Sequence, residues 1–269
     1  MNNPEIRISV ISIGKNCIES VADTYLSVMS QNFSSFEYVI IDGNSGDGTI
    51  EMLHKLSQDK QRITLISESD LGISDAMNKG AKIAQGILVI YLHFGDKFVD
   101  DQVLSRAWES YLKEGWVWSA GNLKIINNRR EFAHLLFKPG NASELIKKNC
   151  VPHQATFLLR TELINSGGFD INLTQAMDYD LWLRLHYLRK LELFNLNMDV
   201  ACFDSSGESS KILPLLFANW EVRKRLRNLY HVKVGATENF IFISRIFIYW
   251  LYYKFKVNIF LGWRYREGG

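Results

Sequence analysis

The sequence contains few of the residues that mark small or unusual protein classes. Its 269 residues include three cysteines and four prolines, which excludes a disulfide-stapled scaffold and a collagen-like repeat. Cys17, Cys150 and Cys202 stand far apart and form no Cys-x-x-Cys pair. We therefore expect reduced, structural thiols in a cytosolic protein rather than a metal centre.

Long apolar runs and a leader segment are also missing. The longest nearly uncharged apolar stretch, residues 240–253, is interrupted by Arg245. It is shorter than the roughly 20 residues of a membrane-spanning helix, so none is expected. Residues 1–6 show no basic segment followed by an apolar one, so no signal peptide is expected either.

The net charge is small, but its distribution is uneven. The chain carries a formal charge of +2, with 47% hydrophobic and 22% charged residues, which excludes a mainly disordered chain. Residues 211–269 hold 11 Lys and Arg against 3 Asp and Glu, and 14 of the 34 aromatic residues. Residues 1–210 hold 20 against 26. We expect a mildly acidic body and a basic, aromatic tail.

The first hundred residues alternate between apolar strands and helices. Strands are predicted at 6–13, 36–42, 62–67 and 87–92, with helices at 18–31, 47–56 and 73–85. This alternation is typical of an α/β fold with a mostly parallel central sheet flanked by helices. Further strands are predicted at 116–126, 155–159 and 200–203, and further helices at 103–112, 178–189, 213–230 and 240–257.

Polar segments containing glycine follow three predicted strands, at Ser12–Asn16, Asp42–Thr49 and His93–Asp96. Ligands of open parallel sheets bind beyond the carboxyl ends of the strands, so these segments are expected to line one crevice. Asp42 could accept hydrogen bonds from a nucleotide base or ribose. Alternatively, Asp42 and Asp47 only shape the turn and cap the following helix.

The third of these segments, His93–Asp96, is a candidate metal-binding site. Mg²⁺ and Mn²⁺ take few protein oxygens beside phosphate and water oxygens, so Asp96 is a candidate ligand. His93 is a candidate second ligand, and an imidazole would favour Mn²⁺. The alternative is a solvated loop aspartate beside a packed histidine.

Two later segments could face the same crevice. Asp178 and Asp180 open a predicted helix, where they either complement the helix dipole or supply a general base. His153 and Gln154 precede a short strand, where they either bind phosphate or acceptor hydroxyls or have an ordinary structural role.

Six segments, in this order and spacing, resemble the family-2 glycosyltransferases of the GT-A fold, specifically the bacterial branch that builds surface polysaccharides. They are FEYVIIDGNSGDGT (36–49), SESDLGISDAMNKGAKIAQG (67–86), VIYLHFGDKF (89–98), VPHQATFLLR (151–160), GGFD (167–170) and MDYDLWLRL (177–185). The resemblance covers residues 6–205. It implies a catalytic domain over 1–210, with a nucleotide-binding half near 1–98 and an acceptor half near 99–210, followed by the tail 211–269.

The resemblance implies roles for the donor side. Asp42 matches the acid that holds the nucleoside base, and Ser12 matches the strand position that lines the nucleotide pocket. The segment that closes over the diphosphate sugar contains Asp70, Asp75 and Asn78.

The resemblance also implies the metal, base and acceptor positions. Asp96 matches the last acid of the metal motif, and Asp178 matches the catalytic base. Positions on the acceptor side are matched by His153, Gln154, Asp180 and Arg184. The sequence departs from the family at three places. The metal motif contains a single acidic residue, and Gly43 and Met177 stand at positions where the family often has an acidic residue.

The implied activity is an inverting transfer from a nucleotide-diphosphate sugar, with a UDP-sugar favoured, that uses Mn²⁺ or Mg²⁺. The acceptor would be a lipid-linked oligosaccharide of an O-antigen (lipopolysaccharide), capsule or exopolysaccharide, at the cytoplasmic face of the plasma membrane. Residues 236–269 would lie on that membrane surface, with aromatic residues buried and cations on anionic headgroups. Packing on the catalytic domain or in a homodimer is the alternative.

Two other functions compete with this one. A nucleotidyltransferase would need a basic, glycine-rich loop after the first strand, where only Lys15 and Gly14 are present. A nucleotide-sugar-binding module with weak or no catalysis would explain the thinned metal motif. Nucleic-acid binding is not expected, because the basic residues of the tail are interleaved with aromatic ones.

Overall fold

The computed structural model describes residues 6–57, 62–127, 130–137, 144–146, 148–204, 212–230 and 243–244. Apart from 243–244, the predicted helix 240–257 and the predicted membrane segment 236–269 lie outside these residues. Among the described residues, no helix is both long and apolar enough to span a bilayer.

The first half of the chain forms four parallel strands joined by helices, as predicted. The strands are β1 (Ile8–Gly14), β2 (Phe36–Asp42), β3 (Ile63–Ser67) and β4 (Leu88–Tyr91), and the helices are α1 (Val21–Met29), α2 (Thr49–Ser57) and α3 (Ile73–Ile83). In the β1–β2 register, Gly14 lies opposite Asp42, which in turn lies opposite Ser67 of β3. The polar segments that follow these strands therefore begin at one edge of the sheet.

The second half adds shorter and less regular elements. They are β5 (Lys97–Phe98), α4 (Val103–Glu114), β6 (Trp118–Asn127), β7 (Arg130–Leu135), a 3₁₀ turn (His153–Ala155), β8 (Thr156–Leu159), α5 (Arg160–Asn165), α6 (Met177–Leu183), a π turn (Arg184–Leu188), β9 (Leu193–Asp204) and α7 (Ile212–Tyr230). Within the described residues, the sheet order is β3-β2-β1-β4-β8-β6-β9-β5, with β7 paired to β6.

The sheet is parallel through its first four strands, as predicted, and combines parallel and antiparallel pairs beyond them. Strand β8 runs antiparallel to both β4 and β6, and β5 and β7 also pair antiparallel, whereas β6 and β9 are parallel. The predicted strand 200–203 is the end of the much longer β9, and the predicted helix 178–189 ends at Leu183 before the π turn. The observed sheet is therefore mixed.

The core lies on both faces of the sheet, because successive side chains of a strand point to opposite sides. On one face, Ile11 and Val39 pack with α3, α5, α6 and α7. On the other face, Val10 and Ile40 pack with α1, α2 and α4. Burial on both faces explains why these strands are apolar without alternation. Helices α3 and α6, which carry candidate site residues, therefore lie on the same side of the sheet.

Candidate active site

The segments after β1 and β2 are joined by hydrogen bonds, as the predicted crevice requires. The N–H of Asn16 donates to Oγ of Ser45 at 2.8 Å, and the N–H of Gly46 donates to Oδ1 of Asn16 at 3.0 Å. The N–H of Gly43 donates to the carbonyl of Gly14 at 2.9 Å. These bonds hold the segments after β1 and β2 together.

Asp42 is fully buried at the end of β2. Its Oδ2 accepts from the N–H of Ser45 at 3.0 Å and from the hydroxyl of Ser67 at 2.6 Å, and its Oδ1 accepts from the hydroxyl of Ser45 at 2.5 Å. A carboxylate offers about four acceptor positions, and these bonds use three of them. Asp42 thus shapes its turn.

Asp47 shapes the turn and the start of the next helix. Its Oδ1 accepts from the N–H of Thr49 at 3.0 Å, and its Oδ2 accepts from the N–H of Ile18 at 3.1 Å. The hydrogen bond from Thr49 lowers the pKa of Asp47. Asp47 therefore shapes the turn and caps the following helix, which is the structural alternative predicted from the sequence.

Ser12 is buried within the sheet rather than placed on an open surface. Its hydroxyl donates to the carbonyl of Leu92 and accepts from the hydroxyl of Tyr38 at 2.9 Å. The side chain therefore ties β1 to the neighbouring strands β2 and β4.

Asp70 lies against the turn after β2. A Cβ placed on Gly43 would come within 2.6 Å of Oδ2 of Asp70, and Oδ1 of Asp70 accepts from the N–H of Gly72 at 2.9 Å. A carboxylate from the segment after β3 thus lies against position 43, where the sequence has no acid. Asp70 was a candidate residue from the sequence, but its contact with Gly43 was not predicted.

Asp75 and Asn78 organise helix α3. Asp75 accepts from the N–H of Leu71 at 3.0 Å, which lowers its pKa, and it pairs with Lys79 at 3.2 Å. The amide of Asn78 exchanges two hydrogen bonds with the backbone of Phe169, at 2.7 and 2.8 Å.

Asp178 lies in the first turn of α6, in an acidic position that the helix dipole favours. Both of its oxygens lie 3.3 Å from Nδ2 of Asn149, and Oδ2 lies 3.6 Å from Nδ1 of His153. Its side chain remains 17% exposed, which leaves it reachable by a substrate hydroxyl. Asn149 was missed from the sequence, since no motif surrounds it.

His153 lies beside the carboxylate of Asp178, with Oδ2 of Asp178 3.6 Å from Nδ1. Burial by itself would lower its pKa, but the hydrogen bond and charge of Asp178 and the charge of Asp96 raise it. The ring of His93 lies 5.0 Å from that of His153, and burial lowers the pKa of His93 well below its usual range. The segment after β4 and the start of α6 therefore meet at this histidine pair.

The metal motif offers a small donor set. Asp96 is buried, and its backbone is fixed by bonds to His93 and Thr24. Nδ1 of His93 is buried without a hydrogen-bond partner, so this imidazole nitrogen is a candidate donor three residues before Asp96. Within the described ranges, no group of three or more His, Cys, Asp or Glu is arranged to hold a metal ion. Asp96 and His93 fit a cation completed by ligand and water oxygens.

Asp180 and Arg184 form a buried ion pair. Nε of Arg184 donates to Oδ2 of Asp180 at 2.8 Å, and its Nη atoms donate to the carbonyls of Ser166 and Gly168. Burial raises the pKa of Asp180, an effect that Arg184 opposes. All three nitrogens of the guanidinium are thus engaged within the protein. Gln154, on the 3₁₀ turn, is also buried.

Residues 9–168, more than half of the chain, match Glycosyl transferase family 2. The chain belongs to this family. It is a glycosyltransferase with the GT-A fold, as its six motifs implied. An uncharacterized glycosyltransferase of Mycobacterium tuberculosis is 30% identical over 207 residues, which cover 76% of this chain and 77% of that protein.

A second relative carries a specific name. The Escherichia coli UDP-Glc:α-D-GlcNAc-diphosphoundecaprenol β-1,3-glucosyltransferase WfgD is 24% identical over 219 residues, covering 80% of this chain and 84% of WfgD. Its name gives a UDP-sugar donor and a lipid-linked acceptor for WfgD.

Solved structures share the fold of this glycosyltransferase. Residues 1–349 of Staphylococcus aureus TarS, in complex with UDP-GlcNAc, align with a TM-score of 0.69 and 17% identity, covering 95% of this chain and 76% of that one. The chain covers 46% of the longer TarS structure. The mannosyltransferase PcManGT of Pyrobaculum calidifontis, in complex with GDP-Man and Mn²⁺, aligns with a TM-score of 0.64 and 15% identity, covering 90% and 69%.

Proposed function

We propose that this glycosyltransferase transfers a sugar, with inversion, from a UDP-sugar to a hydroxyl of a lipid-linked oligosaccharide that is built into a bacterial surface polysaccharide. The observation that carries the proposal is the cluster in which His153 lies 3.6 Å from Asp178 and 5.0 Å, ring to ring, from His93 in the segment that contains Asp96. Asp96 belongs to the donor end of the crevice, and Asp178 would act on the acceptor. A single displacement needs both at one place, and this cluster provides it.

Asp178 is the proposed general base. Its carboxylate takes the proton of the acceptor hydroxyl, which must approach to about 3 Å. The hydroxyl oxygen then bonds to the anomeric carbon on the face opposite the nucleoside diphosphate. The bond from that carbon to the diphosphate oxygen breaks, and its electron pair leaves with the diphosphate. Asn149 and His153 hold the carboxylate in place during this step.

A divalent cation, Mn²⁺ or Mg²⁺, would be held by Asp96 and His93. It would supply positive charge next to the diphosphate that leaves. The buried, unpartnered Nδ1 of His93 supports this assignment, as does the Mn²⁺ bound by PcManGT. With two protein ligands at most in the described segments, phosphate and water oxygens would complete the coordination.

The donor is proposed to carry uridine diphosphate. Support comes from the names of two similar proteins, WfgD with UDP-Glc and TarS with UDP-GlcNAc. In this chain, Asp42 is buried at the end of β2, and Asp70 lies against Gly43 next to it. These two carboxylates are the proposed partners of N–H and hydroxyl groups of the nucleoside.

The acceptor is proposed to be lipid-linked, as the name of WfgD says for that protein. In the division into a catalytic body, 1–210, and a tail, 211–269, α7 packs against the acceptor half through Val222 and Leu226, and Arg225 pairs with Asp170. The basic, aromatic residues 236–269 would place the enzyme at the inner face of the plasma membrane; packing in a homodimer is the alternative. Unchanged membrane recovery after deletion of 236–269 would contradict the anchoring role.

The base assignment is tested by Asp178→Asn, which keeps the size of the side chain. We expect turnover to fall by about 10²–10⁴-fold, the range for a lost general base, with UDP binding nearly unchanged. The exposed Asp101→Asn is the matched control, since it lies outside the site. Normal turnover by Asp178→Asn would exclude this mechanism. A panel of UDP-, GDP- and dTDP-sugars with Mn²⁺, read by nucleotide release, tests the donor.

A further inference from the structure

The segment Ser166–Asp170, the glycine turn, ends α5 and lies between the two halves of the site. Gly167 and Gly168 have φ values of +84° and +66°, which favour glycine. Their N–H groups donate to the carbonyls of Ile164 and Leu163 at 2.9 and 3.0 Å, in the manner of a helix C-cap. Other backbone groups of the turn are bound by side chains from elsewhere.

Helix α3 holds the turn from the donor side. Nδ2 of Asn78 donates to the carbonyl of Phe169 at 2.7 Å, and the N–H of Phe169 donates to Oδ1 of Asn78 at 2.8 Å. A Cβ on Gly168 would collide with the amide of Asn78, so this close contact requires glycine. One turn earlier in α3, Ser74 donates to the carbonyl of Leu173 at 3.1 Å.

The end of α6 holds the same turn from the acceptor side. Arg184 donates to the carbonyls of Ser166 and Gly168, the latter at 2.6 Å. Its Nε donates to Asp180, whose side chain is 2% exposed. Because a charge-assisted bond in a buried place has few alternative geometries, Asp180 fixes the direction of the guanidinium.

We propose that Asn78 and the Arg184–Asp180 pair are positioning residues that hold α3 and α6 in one register across the glycine turn. Helix α3 follows the segment expected to close over the diphosphate sugar, and α6 carries Asp178. Displacement at a sugar carbon requires base, hydroxyl and donor to be aligned, and a misplacement of about 1 Å can cost 10²-fold in rate. The inference rests on the proposed function in taking Asp178 as the base, and it gives Asn78, Asp180 and Arg184 roles without substrate contact.

The aromatic contact beneath the turn supports the same link. The ring of Phe169 lies edge-on to that of Tyr91 at 5.2 Å, and the hydroxyl of Tyr91 donates to the carbonyl of Met77 in α3 at 3.0 Å. The turn is therefore attached to β4 as well as to both helices. Because the turn is bound on both sides, a displacement of α3 would also displace α6.

Hydrogen exchange of the ligand-free protein tests the link directly. Asn78→Asp keeps the acceptor for the N–H of Phe169 but places a carboxylate oxygen against its carbonyl, so one bond becomes a repulsion. We expect amides of both the glycine turn and residues 177–183 to exchange about tenfold faster or more. The exposed Asn32→Asp is the control and should leave both unchanged. Faster exchange in the turn with unchanged exchange in 177–183 would overturn the proposal.

Steady-state kinetics separate positioning from simple stabilisation. Arg184→Lys keeps the charge but loses the fork that reaches two carbonyls. With UDP-glucose or UDP-GlcNAc as the donor probe and UDP release as readout, we expect kcat to fall about 10–100-fold and donor KM to change less than about threefold. Arg106→Lys, in a surface pair with Asp100, should keep both values. An unchanged kcat for Arg184→Lys would overturn the proposal.

The experiments distinguish failure of the proposed function from failure of the positioning proposal. Normal turnover by Asp178→Asn would remove the base assignment, yet the exchange result at residues 177–183 would stand, since it needs no ligand.

Discussion

The carboxylate of Asp70 occupies the space that a side chain at Gly43 would need, since a Cβ there would lie 2.6 Å from Oδ2 of Asp70. The two residues belong to different strand ends, yet they supply a single carboxylate next to Asp42. Position 43, where the family often carries an acid, therefore has no room for a second side chain unless Asp70 moves.

We expect Gly43→Asp to weaken donor binding, although it restores the acid that the family usually carries. Two carboxylates would compete for one place, and like charges at contact distance repel. KM for the donor should rise about tenfold or more, and the double variant Gly43→Asp with Asp70→Gly should recover most of the loss. Gly46→Ala in the same turn is the control, because no atom lies within 4 Å of its Cβ. Equal KM values for Gly43→Asp and the wild type would contradict this conflict between positions 43 and 70.

Metal removal should stop turnover, because the proposed cation offsets the charge of the diphosphate. Treatment with EDTA followed by titration of Mn²⁺ or Mg²⁺ measures the requirement. His93→Ala should raise the Mn²⁺ concentration for half-maximal activity about tenfold or more and should narrow the preference for Mn²⁺ over Mg²⁺. His54→Ala, on helix α2 and outside the site, is the control. Full activity after exhaustive chelation would show that the cation is dispensable.

Gly80→Ala should destabilise the protein, although alanine is the better helix former by about 1 kcal/mol. A Cβ at this position of α3 would lie 2.5 Å from Cγ2 of Ile11 in β1, so helix and sheet would have to separate. We expect a net loss of about 1–3 kcal/mol in the free energy of unfolding, measured by urea denaturation. Ile11→Ala removes the opposing methyl group, so the double variant should lose less than the sum of the two single losses.

The thiol of Cys150 should react slowly with alkylating reagents. Burial raises its pKa to about 11, so at pH 8 about 0.1% of it is thiolate, against roughly a quarter for a free cysteine of pKa about 8.5. Iodoacetamide labelling, followed by peptide mass spectrometry, should be at least about 100-fold slower than for a free thiol and should rise about tenfold per pH unit from 8 to 10. Because the folded state raises this pKa, the thiol contributes stability that is present below about pH 8.5 and lost as the pH rises towards 11. Rapid labelling at pH 8 in folded protein would contradict the burial of this residue.

Much of the first half of the chain could be predicted because its signals are local. The apolar runs of β1, β2 and β4 and the glycine-containing segments after them are contiguous in the chain, and parallel pairing brings their carboxyl ends together. The second half of the chain was predicted less well, because its strands depend on partners that are distant in the sequence. Strand β7 and most of β9 mix polar and apolar residues, and they are strands because β6 pairs with both.

The candidate site divides in the same way. Asp96, Asp178 and His153 were identified from short motifs, but their assembly around one histidine pair depends on contacts between β4, the 3₁₀ turn and α6. The local sequence pattern does not determine the direction in which a side chain points. Asn78 and Arg184 could be named from sequence, whereas the glycine turn that they bind lies 91 and 16 residues away along the chain.

The sequence by itself determined the family, the α/β order of the first half and the acidic and amide residues available for chemistry. Local periodicity and motif spacing suffice for those properties, because they depend on neighbours in the chain. Tertiary structure decided that the sheet is mixed, that Ser12 is buried between strands, that Asp70 lies against Gly43, and that Arg184 holds a turn. Each of these depends on which distant backbone or side-chain atom fills the space beside a residue, and only the packed chain sets that.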